Sequence, residues 1–215
     1  MKKTRLILAD DHQIIVEGLK GVLSTEPDIE LIGTAADGRE LVEMAFKYRP
    51  DVIIVDISMP LLNGIDATEQ MIRDGLKSKI IILTMHNDAM YAARAFDAGA
   101  SGYVLKHSAP NELVKAIREV LRGHNYITPL VDGEIIRGYR SGSNKNLNLS
   151  RKLTTRQKEV LSMLAEGFTA KEIGKKLHIS VRTVEFHKYK MMEELGIDSS
   201  AELIMFAVKH KLTEP

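Results

Sequence analysis

A chain of 215 residues with 44% hydrophobic and 27% charged residues and a net charge of +1 is composed like an ordinary soluble globular protein of one large or two modest domains. It has no cysteine, which excludes disulfides and thiolate metal sites and suits a reducing cytoplasm. The apolar run behind its basic start, Leu6–Ala9, is far too short for a signal peptide or a membrane span. Charge is uneven along the chain. Residues 1–123 hold 15 Lys and Arg against 18 Asp and Glu, whereas residues 151–215 hold 12 against 9, an asymmetry that suggests different partners for the two ends.

Residues 1–123 alternate short apolar runs with longer amphipathic stretches. The runs are Leu6–Ala9, Ile29–Ile32, Val52–Val55, Ile80–Leu83 and Gly102–Leu105, and four of them are rich in Ile, Val or Leu and nearly continuous, the pattern of strands covered on both faces. Helical periodicity fills the gaps over Ile14–Leu23, Arg39–Tyr48, Ile65–Leu76, Ala89–Ala98 and Glu112–Arg122. Five βα units in sequence predict an α/β fold, a doubly wound five-stranded parallel sheet, and the flavodoxin-like order 2-1-3-4-5 is the expected arrangement in which the first and third strands are neighbours. Gly99 stands where a C-terminal helix cap belongs, and Pro110 suits a first helical turn.

From residue 124 to 150 this rhythm is lost. Ser141-Gly142-Ser143-Asn144-Lys145-Asn146 is polar and aperiodic and reads as a linker spanning roughly 18 Å, with a short helix near Leu130–Tyr139. Residues 151–215 form a second, smaller all-α domain of four helices, Thr155–Ala165, Ala170–Leu177, Val181–Leu195 and Ser200–Lys209. Thr154 or Thr155 caps the first helix and Ser180 the third, while Gly167 and Gly196 fall just past helix ends.

In parallel α/β sheets ligands bind at the carboxyl ends of the strands. Asp10 and Asp11 follow the first strand and Asp56 the third, which are neighbours in the predicted order, so three carboxylates converge. A hard cation such as Mg2+ relieves their repulsion. Thr84 and Lys106 bring a hydroxyl and an ammonium to the same rim. The set suits transfer of a phosphoryl group onto Asp56, with Mg2+ and Lys106 neutralising the transferring oxygens. Taken singly, Asp11 can be a helix cap, Asp56 the start of a turn before Pro60 and Gly64, Thr84 a strand residue and Lys106 a solvated charge. With Asp10, five such coincidences at one end of one sheet are much less frequent than any one of them.

Asp10-Asp11, Asp56 with Met59-Pro60 and Asn63-Gly64 behind it, Thr84 and Lys106 together resemble the receiver domains of two-component response regulators. The resemblance covers about 120 residues. It implies a histidine kinase as phosphoryl donor to Asp56 and Mg2+ held by Asp11, Asp56 and the backbone carbonyl of Ser58 beside Asp10. It also implies a switch pair of Thr84 and Tyr103, the tyrosine turning inward on phosphorylation. One departure is His107, where many receivers have proline after the lysine.

In the second domain, Ala170–Leu177, the break at His178-Ile179 and the Ser180-capped helix that follows make a helix-turn-helix pattern. Val184, Met191 and Leu195 follow core spacing, with His187 at the margin. The opposite face carries Arg182, Glu185, Phe186 and Tyr189, flanked by Thr183, Lys188 and Lys190. Base edges in a DNA major groove explain such a face, Glu185 accepting from cytosine and Phe186 meeting a thymine methyl while the lysines hold phosphates. The alternative is an amphipathic helix whose aromatics pack on a neighbour.

Leu153-Thr154-Thr155-Arg156-Gln157-Lys158-Glu159-Val160-Leu161, Glu172-Ile173 and Thr183-Val184-Glu185-Phe186-His187 closely resemble the LuxR-type DNA-binding domain, over about 60 residues. The whole chain is therefore similar to the NarL/FixJ class of transcriptional regulators. Glu193-Glu194 depart from it, standing where that domain usually has a basic residue, and imply a lost phosphate contact.

The expected function is phosphorylation-controlled binding to promoter DNA in the cytoplasm, with self-phosphorylation and autodephosphorylation of Asp56 as the only chemistry and no membrane association. A dimer is expected on phosphorylation or on DNA, and RNA polymerase is a further candidate partner. In the last helix Ala201, Ile204, Met205, Val208 and Leu212 form one apolar face and Leu203, Phe206 and Ala207 another. One can line the domain's core and the other join two copies. Two rivals remain: a haloacid-dehalogenase-type phosphohydrolase, fitted poorly by adjacent Asp10 and Asp11, and an adaptor that works without phosphate.

Overall fold

The computed structural model describes residues 3–129, 131 and 153–209, and the chain divides into two compact units with the boundary between Gly142 and Ser143. The predicted linker Ser141–Asn146, the helix near Leu130–Tyr139 and Leu212 lie outside the described residues.

In the first unit the apolar runs become strands and the amphipathic stretches helices, in strict alternation. The strands are β1 (Thr4–Ala9), β2 (Ile29–Ala35), β3 (Val52–Asp56), β4 (Lys79–Thr84) and β5 (Gly102–Leu105). Between and after them run α1 (Gln13–Ser24), α2 (Gly38–Tyr48), α3 (Gly64–Arg73), α4 (Ala89–Asp97) and α5 (Ala109–Leu121). All pairings are parallel, and the expected order 2-1-3-4-5 is extended at its edge by a two-residue strand, β6 (Tyr126–Ile127), which the sequence reading lacks.

The continuous hydrophobicity of β1, β3 and β4 has a direct cause. Alternate residues of each strand enter two separate cores. Ile7, Ile53, Val55, Ile80 and Ile82 pack under α2, α3 and α4 with Leu41, Ala45, Met71 and Ala95. Leu6, Leu8, Val52, Ile54, Ile81 and Leu83 pack against α1 and α5 with Leu19, Leu23, Leu113 and Ile117. Each such side chain, wholly removed from water, stabilises the fold by about 1.5–3 kcal/mol.

Helix α3 stops at Arg73, short of the expected Leu76. Gly75 adopts φ +88°, and the Leu76 amide turns back to the Met71 carbonyl at 2.9 Å, a glycine-terminated cap that leaves Leu76 buried just outside the helix. Helix α5 begins three residues earlier than expected, with Pro110 in its first turn.

The second unit contains four helices among its described residues: α6 (Thr155–Ala165), α7 (Ala170–Leu177), α8 (Val181–Leu195) and α9 (Ser200–Lys209), as the periodicity predicts. Thr154 with Gln157 and Thr169 with Glu172 form reciprocal capping boxes, and Ser180 accepts from the Thr183 amide; each supplies partners for otherwise unpaired helix-start amides. The core joins Leu153, Val160, Leu161, Met163, Ile173, Leu177, Val184, Met191, Leu203 and Ala207.

Candidate functional site

The register of the sheet aligns the carboxyl ends of its central strands: Ala9 pairs with Val55, Asp56 with Leu83 and Thr84 with Leu105. Asp10, Asp56, Thr84 and Lys106 are thereby brought to one rim, with Asp11 and His12 beside them. The loop after β3 is pressed close to Asp56. A Cβ on Gly64 would lie 2.0 Å from the Asp56 carbonyl oxygen, so only glycine lets the start of α3 sit there.

Lys106 is the hub. Its Nζ lies 2.8 Å from Asp56 Oδ2 and 2.8 Å from Asp10 Oδ2. The two carboxylates thus share one ammonium, and Asp56 takes a hydrogen bond from it. Asp10 Oδ1 accepts from the His12 amide at 2.9 Å. The His12 ring nitrogen Nδ1 lies 2.8 Å from Asp11 and 3.1 Å from Asp10. Asp11 is not the cap of α1: His12 occupies that position, and its side chain makes no capping bond.

Burial raises the Asp56 carboxyl above its usual range, and the Lys106 ammonium and the Ser58 backbone amide oppose the rise. Burial alone would lower Lys106, but the Asp10 and Asp56 carboxylates more than offset it and hold its pKa above the ordinary value. Donor atoms of Asp10, Asp11, His12 and Asp56 all lie within 4.8 Å of one another. The three carboxylates of this cluster are hard oxygen donors whose mutual repulsion a divalent cation such as Mg2+ would relieve.

Thr84 is wholly buried and its hydroxyl accepts from the His86 amide at 3.1 Å. Tyr103 is also wholly buried, already inward, and its hydroxyl donates to the His86 carbonyl at 2.8 Å. Burial, with Tyr91 nearby, holds the phenol far above its ordinary range. His86 stacks on Tyr91 with ring centroids 4.2 Å apart. Both expected switch residues therefore meet at one backbone residue, which sequence reasoning missed along with His12. The adjacency of His12 to Asp10-Asp11 was its signal; His86 had none. The peptide between Lys106 and His107 is trans.

In the second unit the turn between α7 and α8 is tight. His178 takes φ +55°, the Ile179 amide returns to the Gly174 carbonyl at 2.9 Å, and a Cβ on Gly174 would meet the Ile179 oxygen at 2.8 Å. Arg156 braces the turn: its guanidinium donates to the Leu177 carbonyl and pairs with Glu159, each at 2.7 Å. His187 faces this cluster, and burial and Arg156 depress its pKa against the opposing pull of Glu159.

On α8, Val184 and Met191 are wholly buried. Phe186 and Tyr189 are each 62% exposed, so the aromatics do not pack on a neighbour within the domain. Arg182 and Lys190 are exposed with them. Two expected readers are already engaged. Glu185 pairs with Lys188, whose ammonium lies 5.2 Å from the Tyr189 ring centroid. Thr183 shares a hydrogen bond with Ser180 at 2.8 Å. Lys190 pairs with Glu193 at 2.9 Å, and Glu194 accepts from the Gln157 amide at 3.0 Å. In α9, Leu203 and Ala207 face the core, Phe206 is half-buried, and Met205 is 71% exposed beside exposed Ala201.

No helix among the described residues is long and apolar enough to cross a membrane. Residues 6–118 match the response regulator receiver domain, and residues 151–207 match the bacterial regulatory proteins of the luxR family. The chain is 36% identical over 215 residues to the oxygen regulatory protein NreC of Staphylococcus carnosus, covering 98% of this chain and 99% of that one. The structure of RcsB from Salmonella enterica serovar Typhimurium bound to a promoter with phosphomimetic BeF3− is 29% identical, with TM-score 0.61 over 95% of this chain and 98% of that one. A structure of two RcsB dimers bound to two parallel DNAs is 28% identical, with TM-score 0.59 over the same shares.

Proposed function

The chain belongs to the two-component response regulators, phosphorylation-controlled transcription regulators that couple a receiver to a LuxR-type DNA-binding domain, and from that premise we propose that Asp56 is its phosphoacceptor. The observation that carries this is the Lys106 ammonium, held 2.8 Å from the buried Asp56 carboxylate at the carboxyl end of a parallel sheet. The receiver is assigned to residues 1–123 together with β6 (Tyr126–Ile127), which pairs with β5, the joining segment to the remainder of 124–150 and the DNA-binding domain to 151–215.

The phosphoryl donor is a cognate histidine kinase. An Asp56 carboxylate oxygen attacks phosphorus, the bond to the donor imidazole breaks, and an acyl phosphate remains on Asp56. Asp56 must be ionised to attack, and Lys106 favours that form against burial while facing the charge that develops on the transferring oxygens. Asp10, Asp11, Asp56 and the Ser58 carbonyl would hold Mg2+, which when bound supplies further neutralisation of phosphoryl charge. Thr84 and Tyr103, joined through His86, carry the change to the surface beside α4.

On DNA, Arg182, Glu185, Phe186 and Tyr189 face base edges in the major groove, and Lys188 and Lys190 face phosphates; Thr183 contributes by holding the helix start. Two copies bind paired half-sites, a reading supported by the RcsB dimers on DNA, and the outward face of α9 is the proposed contact between them. Cytoplasmic location and contact with RNA polymerase follow from this role.

Intact mass after incubation with acetyl phosphate and Mg2+ tests the reading. A persistent gain of one phosphoryl group, absent in Asp56→Asn, is expected. Continuous release of phosphate without a persistent adduct would favour a hydrolase, and no labelling would favour an adaptor.

A further inference from the structure

One wholly buried threonine connects the edge of the sheet to the phosphoryl-binding lysine. Strand β6 offers only two ladder residues, Tyr126 opposite Gly102 and Ile127 opposite Tyr103. Its pairing closes with the Thr128 amide donating to the Tyr103 carbonyl at 3.0 Å. The next donor on β5, the Leu105 amide, has no strand carbonyl to meet. It donates instead to the Thr128 hydroxyl oxygen at 3.2 Å, and that hydroxyl donates onward to Glu112 Oε2 on α5 at 2.8 Å. Thr128 is 0% exposed. The position needs a group that accepts from an amide and donates to a carboxylate at once, which a hydroxyl does and a methyl does not.

Leu105 immediately precedes Lys106. The Lys106 amide donates to the Thr84 carbonyl at 2.7 Å, and the turn that follows is closed by the Ser108 amide on the Leu105 carbonyl at 2.9 Å. The backbone that carries the lysine is thus held from β4 on one side and from Thr128 and Glu112 on the other. Lysine has a long flexible stem, so the place of its ammonium depends on a fixed backbone root, and small displacements at a reacting centre cost large factors in rate.

We propose that Thr128, supported by Glu112, is a positioning residue for phosphoryl transfer: it fixes the end of β5 so that the Lys106 ammonium meets Asp56. This rests on the assignment of Asp56 and Lys106 above. Neither residue touches the reacting atoms; both act through the Leu105–Lys106 backbone.

The test uses the full chain and the variants Thr128→Val, Thr128→Ser and Glu112→Gln, with labelling by acetyl phosphate followed across Mg2+ concentrations and amide exchange followed at Leu105. Thr128→Val should lower the maximal labelling rate about ten-fold, leave the half-saturating Mg2+ concentration unchanged and speed exchange at Leu105. Thr128→Ser should restore both rate and protection. Glu112→Gln, which keeps the packing, should fall between. Wild-type labelling rates in Thr128→Val and Glu112→Gln would overturn the proposal, as would failure of Thr128→Ser to recover what Thr128→Val loses. A wild-type chain that takes no label on Asp56 would instead overturn the assignment of the pocket, and this inference with it.

Discussion

The side-chain amide of Gln157 donates to the carboxylate of Glu194 across 3.0 Å, joining the first turn of α6 to the last turn of α8. Glu194 is therefore more than a missing phosphate contact. It accepts from a residue whose own carbonyl oxygen takes the Thr154 amide at 2.7 Å.

Replacing Glu194 separates the two roles. Glu194→Gln keeps an acceptor and should leave the thermal midpoint near wild type. Glu194→Lys loses the acceptor, at a cost of about 1 kcal/mol, and adds a cation near DNA. Its affinity for all sequences should rise, with a salt slope steeper by about one. Thermal melts and salt titrations check both. An unchanged midpoint in Glu194→Lys would show that the bond contributes nothing to stability.

In the metal-free chain Asp56 should take up its proton at higher pH than an ordinary carboxylate, because burial raises its pKa above 3.8. Lys106→Met removes the opposing cation and should raise it further, which a pH titration of Asp56 by NMR in the absence of Mg2+ checks. The stability sign is the reverse of the usual carboxylate case. A group whose folded pKa is raised adds nothing unfavourable below its unfolded pKa and destabilises as pH rises through the folded one. Asp56→Asn should then be at least as stable as wild type near neutrality, the difference shrinking toward acid; a variant markedly less stable at neutral pH would contradict this.

Helix positions and the arrival of Asp10, Asp56, Thr84 and Lys106 at strand ends were legible because they follow from period; strand order rests on the likeness to receiver domains. The limits of legibility were also physical. Strand β6 is two residues long, too short to show an alternation. His86 acts through its backbone, which every residue has. The pairing of Glu185 with Lys188 depends on rotamers three residues apart, so a face that reads as six free polar groups contains fewer. In α9 periodicity gave two apolar faces without saying which was inward. Leu203 and Ala207 answer that, and they leave Met205 as the candidate dimer contact.

With Glu185 engaged by Lys188, the exposed apolar readers are the rings of Phe186 and Tyr189. The thymine C5 methyl is the apolar group a major groove presents. Replacing one thymine of the half-site by uracil, which deletes only that methyl, should weaken wild-type binding by about 1 kcal/mol. Phe186→Ala should bind the thymine and uracil sites equally. If wild type ignores every such replacement while still binding its site, Phe186 does not read methyl groups.

Met205 is 71% exposed and lies away from the core of its domain. Met205→Glu should leave Asp56 labelling and the melting of the domain unchanged but abolish cooperative binding to paired half-sites, seen as a loss of the two-copy shift and retention of the one-copy shift. Retained cooperativity would place the dimer contact elsewhere.

On the proposed assignment, phosphate on Asp56 governs DNA binding by residues 151–215. Equilibrium titration of paired half-site DNA with the full chain, before and after acetyl phosphate and Mg2+, tests it most directly. A tighter dissociation constant is predicted for the phosphorylated wild type, with no change for Asp56→Asn under the same treatment. Equal affinity of the phosphorylated and unphosphorylated wild-type chains, with labelling confirmed by mass, would contradict it.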